Sequence, residues 1–442
     1  VSRMSDVAIY EKMKDSKEWW LGDIPYTWNT RLLKYMFSIK KNIAGETGHQ
    51  VLSVTQKGIV PKNMTERGQF SLDYSKYQLV EAGDFVMNHM DLLTGWVDIS
   101  KYNGVTSPDY RVFVNTNPDS FDSQYYKYIF QYCYSNRIFY GLGQGVAGYG
   151  RWRLPADMFM NFVLPVPPID QQRRISCFLD KQCEQIDSII EEAKSSIAEY
   201  KKLREAVIFE AVTRGIKHRE KTKNSGIKWI GEISESFSIT RMRYIVSEYK
   251  AGPFGSSLIT EKLNNQGNIL VYTPEHIATQ RTDLENNLYL PEERRKEMAQ
   301  FFVHPGNIVF PIVGSLGRAM LITDNMPEGI INQRLAKFKL DESKIDTEYF
   351  LWMFARSSFY AQFIEVNCRG SFIVNLTKTI VYDMPVVLPN TLEEQRQISA
   401  YLKRKCGLID ELIKQKQSLV KELADYRNSL IFETVTGKRK VV

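Results

Sequence analysis

The chain has 442 residues, 43% of them hydrophobic and 25% charged, with a formal net charge of +7 and a pI near 8.9. That is the composition of a globular protein long enough for two or three domains, each with its own core. No run of 18 apolar residues exists, which excludes a helical membrane span, and the positive balance permits a polyanionic partner without demanding one.

Val1, Ser2 and Arg3 stand ahead of Met4 and read as an addition to the natural start. The N-terminus lacks the apolar stretch of a signal peptide, so the expectation is a soluble cytoplasmic protein. The five cysteines, Cys133, Cys177, Cys183, Cys368 and Cys406, have no CxxC spacing and read as buried thiols in a reducing compartment.

An opening motif, Trp20-Leu21-Gly22-Asp23-Ile24-Pro25, returns 209 positions later as Trp229-Ile230-Gly231-Glu232-Ile233-Ser234. The stretch after the first motif is mixed α and β. Strand-like runs at Gln50 to Thr55, Asp84 to Asn88 and Tyr110 to Val114 are punctuated by Gly and Pro, and a helix is expected from Gln124 to Tyr134. A glycine-rich loop, Gly141 to Gly150, is followed by Trp152 between Arg151 and Arg153. The indole reads as core more readily than as a base-stacking ring. A Pro-rich hinge, Leu164 to Pro168, then stops a strand and sets up a helix.

From Gln172 to Thr213 apolar residues recur at spacings of three and four with no Gly or Pro, which predicts one long helix. The stretch recurs 223 positions later at Gln395 to Thr436, with about 17 of 42 residues identical. Leu179, Ile186, Ala193, Tyr200 and Val207 share one heptad position, and Cys183, Ile190, Ile197 and Ala211 the other. The second copy has Leu402, Ile409, Leu423 and Leu430, with Cys406, Ile413 and Val420. Such helices need a partner in water, and each is the other's nearest candidate. Arg204, Arg427 and Lys416 interrupt the seams and point to register specification. Leu179, Ile186, Ile190, Ile197, Leu402, Ile409, Ile413 and Leu423 are the expected interface residues.

Between the two helices a second mixed α and β stretch has strand-like runs at Ile269 to Tyr272, Asn307 to Val313 and Leu335 to Leu340, and a helix near Thr347 to Phe363. It shares almost nothing with the first. Matching ends with differing middles suit two modules that share a scaffold and recognise different things. Met4 to Ser16 aligns with Thr213 to Ser225, so the expected fold is α+β and pseudo-two-fold: two mixed α/β modules alternating with two long helices that pair as an antiparallel coiled coil. The boundaries read as 1–18 for an N-terminal segment closing the ring, 19–168 and 218–391 for the modules, and 169–217 and 392–442 for the helices.

These features resemble the specificity subunit of type I restriction-modification systems. The residues that carry the likeness are the WLGDIP and WIGEI openings, the hinge-to-helix stretches PVPPIDQQRRI (Pro165 to Ile175) and LEEQRQI (Leu392 to Ile398), and the two-unit order. GPFGSSL (Gly252 to Leu258), GRAM (Gly317 to Met320), INQRLA (Ile331 to Ala336) and RGSFIVNLT (Arg369 to Thr377) look like segments of its target-recognition domains. Asn390-Thr391 departs from Pro167-Pro168 of the first copy.

The resemblance implies a non-catalytic reader of double-stranded DNA, each module contacting one half of a split target. The helices would set the gap and dock two methyltransferase subunits, and two restriction subunits would complete the complex. S-adenosylmethionine, ATP and Mg2+ would belong to those partners. The chain has no GxxxxGK[ST] loop, no Asn-Pro-Pro-aromatic or Asp-Pro-Pro-aromatic motif and no paired Cys/His metal spacing. The alternatives are a stand-alone DNA-modifying enzyme, a coiled-coil assembly protein without a DNA role, and a silent or recombining spare copy. Residues suited to phosphates and base edges are Lys57, Lys62, Asn63, Asn88, Arg151 and Arg153 in the first module, and Ser256, Ser257, Arg318, Gln333, Arg334, Arg369 and Ser371 in the second.

Overall fold

A computed structural model describes residues 9–62, 74–145, 152–217, 221–253, 258, 263–314, 317–367 and 376–441. The two repeats form uninterrupted helices, Ile169–Arg214 and Leu392–Val435. Each starts just after a proline-containing hinge and stops before a glycine in the left-handed region, Gly215 (φ 80°) and Gly437 (φ 75°), which ends a helix without strain. Contacts divide the chain into two compact units, residues 1–194 with 418–442, and residues 195–417. The division falls within both long helices, so each unit holds the first part of one and the last part of the other.

Unit 1 opens on a hairpin of β1 (Met13–Asp15) and β2 (Asp23–Pro25), and β3 (Asn29–Leu32) leads to β4 (Phe37–Lys40). Two small antiparallel pairs follow, β5 (Leu52–Thr55) with β6 (Gly58–Pro61), and β7 (Gln78–Val80) with β10 (Gly104–Thr106). The main sheet has the order β4-β11-β8-β9, where β8 is Phe85–Met87, β9 Val97–Ile99 and β11 Arg111–Asn115. It is antiparallel throughout. Helix α1 (Ser123–Ser135) is capped by the Asp122 carboxylate, which accepts from Tyr125 N–H at 3.1 Å. Short helices α2 (Ile138–Gly141) and α3 (Ala156–Met160) lead to β12 (Val163–Val166), which pairs with β3 and feeds the first long helix, α4.

The core of unit 1 is aromatic. Phe37, Phe85, Phe113, Phe130 and Phe159 are at most 1% exposed, and the Phe113 ring meets the other four with centroids 4.9 to 5.9 Å apart. Each buried ring contributes on the order of 2–3 kcal/mol. Leu179, Ile186 and Ile190 of α4 join this core together with Leu430 and Ile431 of the second long helix, and Leu423 packs half-buried against it. The start of α4 and the end of the second helix meet on α1: Gln172 Oε1 accepts from Asp122 N–H at 2.8 Å, and Tyr125 Oη donates to Val435 O at 2.7 Å. The helices are therefore antiparallel here. Lys438, just beyond the second helix, donates to Leu21 O at 2.5 Å, so the opening segment lies against the chain's end.

Unit 2 repeats this plan. β13 (Thr222–Asn224) pairs with β14 (Glu232–Ser234), and β15 (Ser238–Arg241) precedes β16 (Val246–Ala251). A small sheet β18-β17-β21 follows, with β17 Ile269–Tyr272, α5 Pro274–Thr279, β18 Tyr289–Leu290 and β21 Gly329–Ile331; β17 and β21 run parallel. The main sheet, β16-β22-β19-β20, has the strand order of its counterpart, with β19 Asn307–Pro311, β20 Met320–Leu321 and β22 Leu335–Leu340. Helix α6 (Thr347–Phe354) is capped by Asp346 and followed by α7 (Ala361–Asn367), α8 (Lys378–Asp383) and β23 (Pro385–Leu388), which pairs with β15 and leads to the second long helix, α9.

Gln395 accepts from Asp346 N–H at 2.7 Å, and Tyr349 Oη donates to Val212 O at 3.2 Å, matching Gln172 and Tyr125. Leu402 and Cys406 pack with Ile208 and Val212, and Ile409 and Ile413 are buried, while Ile197 is half-buried.

Two expectations need correction. The helix from Thr347 to Phe363 breaks after Phe354, because the Glu205 carboxylate of α4 accepts from both Ser358 N–H and Ser358 Oγ at 2.7 Å and holds the chain out of helical geometry. Cys177 is exposed on α4, whereas Cys133, Cys183 and Cys406 are buried.

Candidate nucleic-acid interface

In unit 2 the described parts of three second-module motifs, Gly252, Ile331 to Ala336 and Leu376, meet at one end of the main sheet. Gly252 N–H donates to Leu335 O at 2.8 Å. A Cβ on Gly252 would lie 1.9 Å from Asn332 O, so only glycine allows this approach. Ile312 N–H bonds Arg334 O at 2.9 Å, and Leu376 N–H bonds Ile312 O at 2.8 Å. The turn between β21 and β22 is thereby clamped, with Asn332 Oδ1 accepting from Arg334 N–H at 3.0 Å and the Gln333 and Arg334 side chains exposed.

Unit 1 builds the same edge from different residues. Leu154 N–H donates to His89 O at 3.0 Å, as Leu376 does to Ile312, while Leu154 O accepts from Arg111 Nη2 at 2.8 Å. Asn88 follows β8 directly, and exposed Arg153 precedes Leu154, so both stand at this edge. Trp152 lies half-buried against Tyr140, with its Nε1–H bonded to Tyr140 O at 2.8 Å. It is a packing residue. His89 is held down to about 4 by burial and by the nearby Arg111 and Arg153 charges, and burial lowers Arg111 to about 10.

Other chosen residues stand elsewhere. Lys57 is exposed and lines a cleft of about 1160 Å³ in unit 1, with Asp98, Lys127, Asp187 and Arg427. Arg318 lines a cleft of about 440 Å³ in unit 2, with Arg204 and Arg356, and donates to Ala278 O at 2.8 Å. Lys62 N–H bonds Val51 O at 2.8 Å. Asn63, Arg151, Ser256, Ser257, Arg369 and Ser371 lie outside the described residues. His89 and Arg111 are functional candidates that residue type alone did not single out, since Arg111 sits in a strand that reads as core.

Among the described residues no group of three or more His, Cys, Asp or Glu side chains could hold a metal, and no helix is long and apolar enough to cross a membrane.

Residues 246–422 match the family model of the Type I restriction modification DNA specificity domain. The chain is similar to the MjaVIII type I restriction enzyme specificity subunit of Methanocaldococcus jannaschii, 23% identical over 267 residues, 60% of each chain. It also resembles the MjaX specificity subunit of that organism, 21% identical over 429 residues, covering 91% of this chain and 92% of the relative. Among solved structures, the fold matches a chain from work on complex assembly and conformational transition of the type I R-M system (TM-score 0.66, 15% identity, 93% and 98% coverage). It also matches the HsdS subunit from Thermoanaerobacter tengcongensis (TM-score 0.50, 14% identity, 94% and 98% coverage).

Residues 246–422 thus carry a type I restriction modification DNA specificity domain by sequence, and the chain shares its two-module fold with the solved structures that it matches.

Proposed function

We propose that each unit reads one half of a bipartite DNA target and that catalysis resides in partner subunits. Methyltransferase subunits, two by the family's pattern, would use S-adenosylmethionine, and two restriction subunits would use ATP and Mg2+ on cytoplasmic DNA. The observation that carries this reading is the pairing of a repeated frame with divergent edges. Gln172 and Gln395 make the same clamp, whereas the corresponding sheet edges present Asn88 and Arg153 in one unit and Gln333 and Arg334 in the other. A frame used twice with different side chains suits two readings of different sequence. Asn, Gln and Arg make bidentate contacts to adenine and guanine edges, and two joined interfaces gain effective concentration over either alone.

The test is adenine methylation mapped across a genome in cells carrying a partner methyltransferase, with and without this gene. A split motif that depends on the gene supports the reading. Methylation of DNA by the purified chain alone would replace it with the enzyme reading.

A further inference from the structure

Arg111 opens β11 and is 5% exposed. Nη2 bonds Leu154 O, and the guanidinium lies 5.0 Å from the Phe159 ring centroid. Nη1 has no hydrogen-bond partner among the described residues, and no carboxylate forms an ion pair with it; Asp157 acts only at longer range. Burying an incompletely paired guanidinium is costly, and the cost falls when an anion arrives. Nδ1 of His89 is likewise buried without a partner. Its ring is flanked by the charges of Arg111 and Arg153. The main chain of Leu154, bonded through N–H to His89 O and through C=O to Arg111, fixes Arg153 at the exposed rim of this corner.

Arg153 is exposed at this corner, while the vacant Nη1 of Arg111 and Nδ1 of His89 are buried behind it, so a tetrahedral oxyanion that enters past Arg153 is offered donors by two guanidiniums and an imidazole. We propose that His89, Arg111 and Arg153 form a site in unit 1 for one phosphodiester group of the DNA backbone. The assignment rests on the DNA-recognition reading above and adds a function for two residues that do not face a base by type. Arg111 supplies the buried charge and Arg153 the outer one. His89 takes up a proton as the phosphate arrives, so that a ring kept neutral beside two cations becomes a third donor. Among the described residues unit 2 has no imidazole at the corresponding corner, because Ile312 stands where His89 does.

The full-length chain labelled at its five histidines tests this by NMR, with a short mixed-sequence duplex and, separately, inorganic phosphate as probes. Binding of the duplex is monitored on the same sample by fluorescence anisotropy, and His89→Asn assigns the signal. The expected result is a rise in the His89 titration midpoint with the duplex, and a smaller rise in the same direction with phosphate. A response to phosphate without one to bound duplex means a free-anion site and overturns the DNA assignment.

Bound duplex that leaves His89 unshifted overturns the site while leaving the DNA reading intact; failure of the wild-type chain to bind any duplex overturns both. In parallel, Arg111→Met lowers the slope of log affinity against log salt by about one, and an unchanged slope in a folded variant contradicts the proposal. If that variant does not fold, the wild-type titration decides alone.

Discussion

Arg204 Nε lies 2.9 Å from Asp410 Oδ1, joining α4 to α9 within unit 2. The residues at the repeat-equivalent positions, Asp187 and Arg427, are 3.0 Å apart in unit 1. Each arginine that interrupts a seam is thus answered by an aspartate of the other helix. A seam of leucine and isoleucine alone tolerates sliding by a heptad, whereas one ion pair per unit is satisfied in a single register.

Arg204→Asp should therefore destabilise unit 2 by about 2 kcal/mol, since it also removes the 2.7 Å bond to Arg356 O at the end of α6. The pair is partly exposed, so the ionic share is on the order of 0.5–1 kcal/mol. Combining it with Asp410→Arg should restore that share and leave the bond to Arg356 O unrestored. Urea unfolding followed by circular dichroism reads the difference, and a double variant no more stable than the single one would show that the pair does not set register.

The two glutamine clamps differ in quality. Gln172 donates to Pro167 O at 2.8 Å and to Ser120 O at 3.2 Å, while Gln395 reaches Pro389 O and Lys344 O only at 3.4 Å. Replacing either by Leu strands a buried amide N–H and two carbonyls, at a cost of about 2–3 kcal/mol. Gln172→Leu should cost more than Gln395→Leu. The reverse order in thermal unfolding would mean that the hinge, not the clamp, governs stability.

What the sequence made legible follows from repetition. Gln172 and Gln395, the seam leucines and the tryptophan openings announce a shared frame because one physical demand had to be met twice. The edges met different demands and left no echo. The alignment of β11 and β22 cannot be read from their residues, and an arginine opening a strand that reads as core gives no sign of what its buried guanidinium meets. Nor can the break after Phe354, which depends on Glu205 from a helix about 150 residues earlier in the chain. Long-range polar contacts of this kind override local propensity without marking it.

His89 gives a pH dependence of known sign. Its folded value of about 4 lies below the ordinary 6.5, so between these the unfolded chain binds more protons and stability rises with pH. The contribution is full above 6.5 and is lost as pH falls toward 4. Allowing for the partly exposed ring it amounts to about 2 kcal/mol. His89→Asn should flatten the stability profile of unit 1 over that window; an unchanged profile would place the charge burden elsewhere.

Gly252→Ala isolates the second edge. The added methyl would meet Asn332 O at 1.9 Å, with Asn332 C at 2.6 Å and Gln333 Cα at 3.1 Å, all backbone atoms that move only by shifting the turn. Overpacking of this size costs about 1–3 kcal/mol, less than the stability of a typical folded domain. Unit 2 should stay folded while Gln333 and Arg334 are displaced. In the methylation map, the half-site read by unit 2 should become degenerate or vanish and the half-site read by unit 1 should persist, with the weakened affinity expected when one of two joined interfaces is lost. Gln333→Ala should relax fewer positions of that same half-site, because it removes one side chain and leaves the turn in place. A Gly252→Ala subunit that methylates the full wild-type target at the wild-type rate would show that the clamped turn does not face DNA. The second half-site would then have to be read from another face of the module.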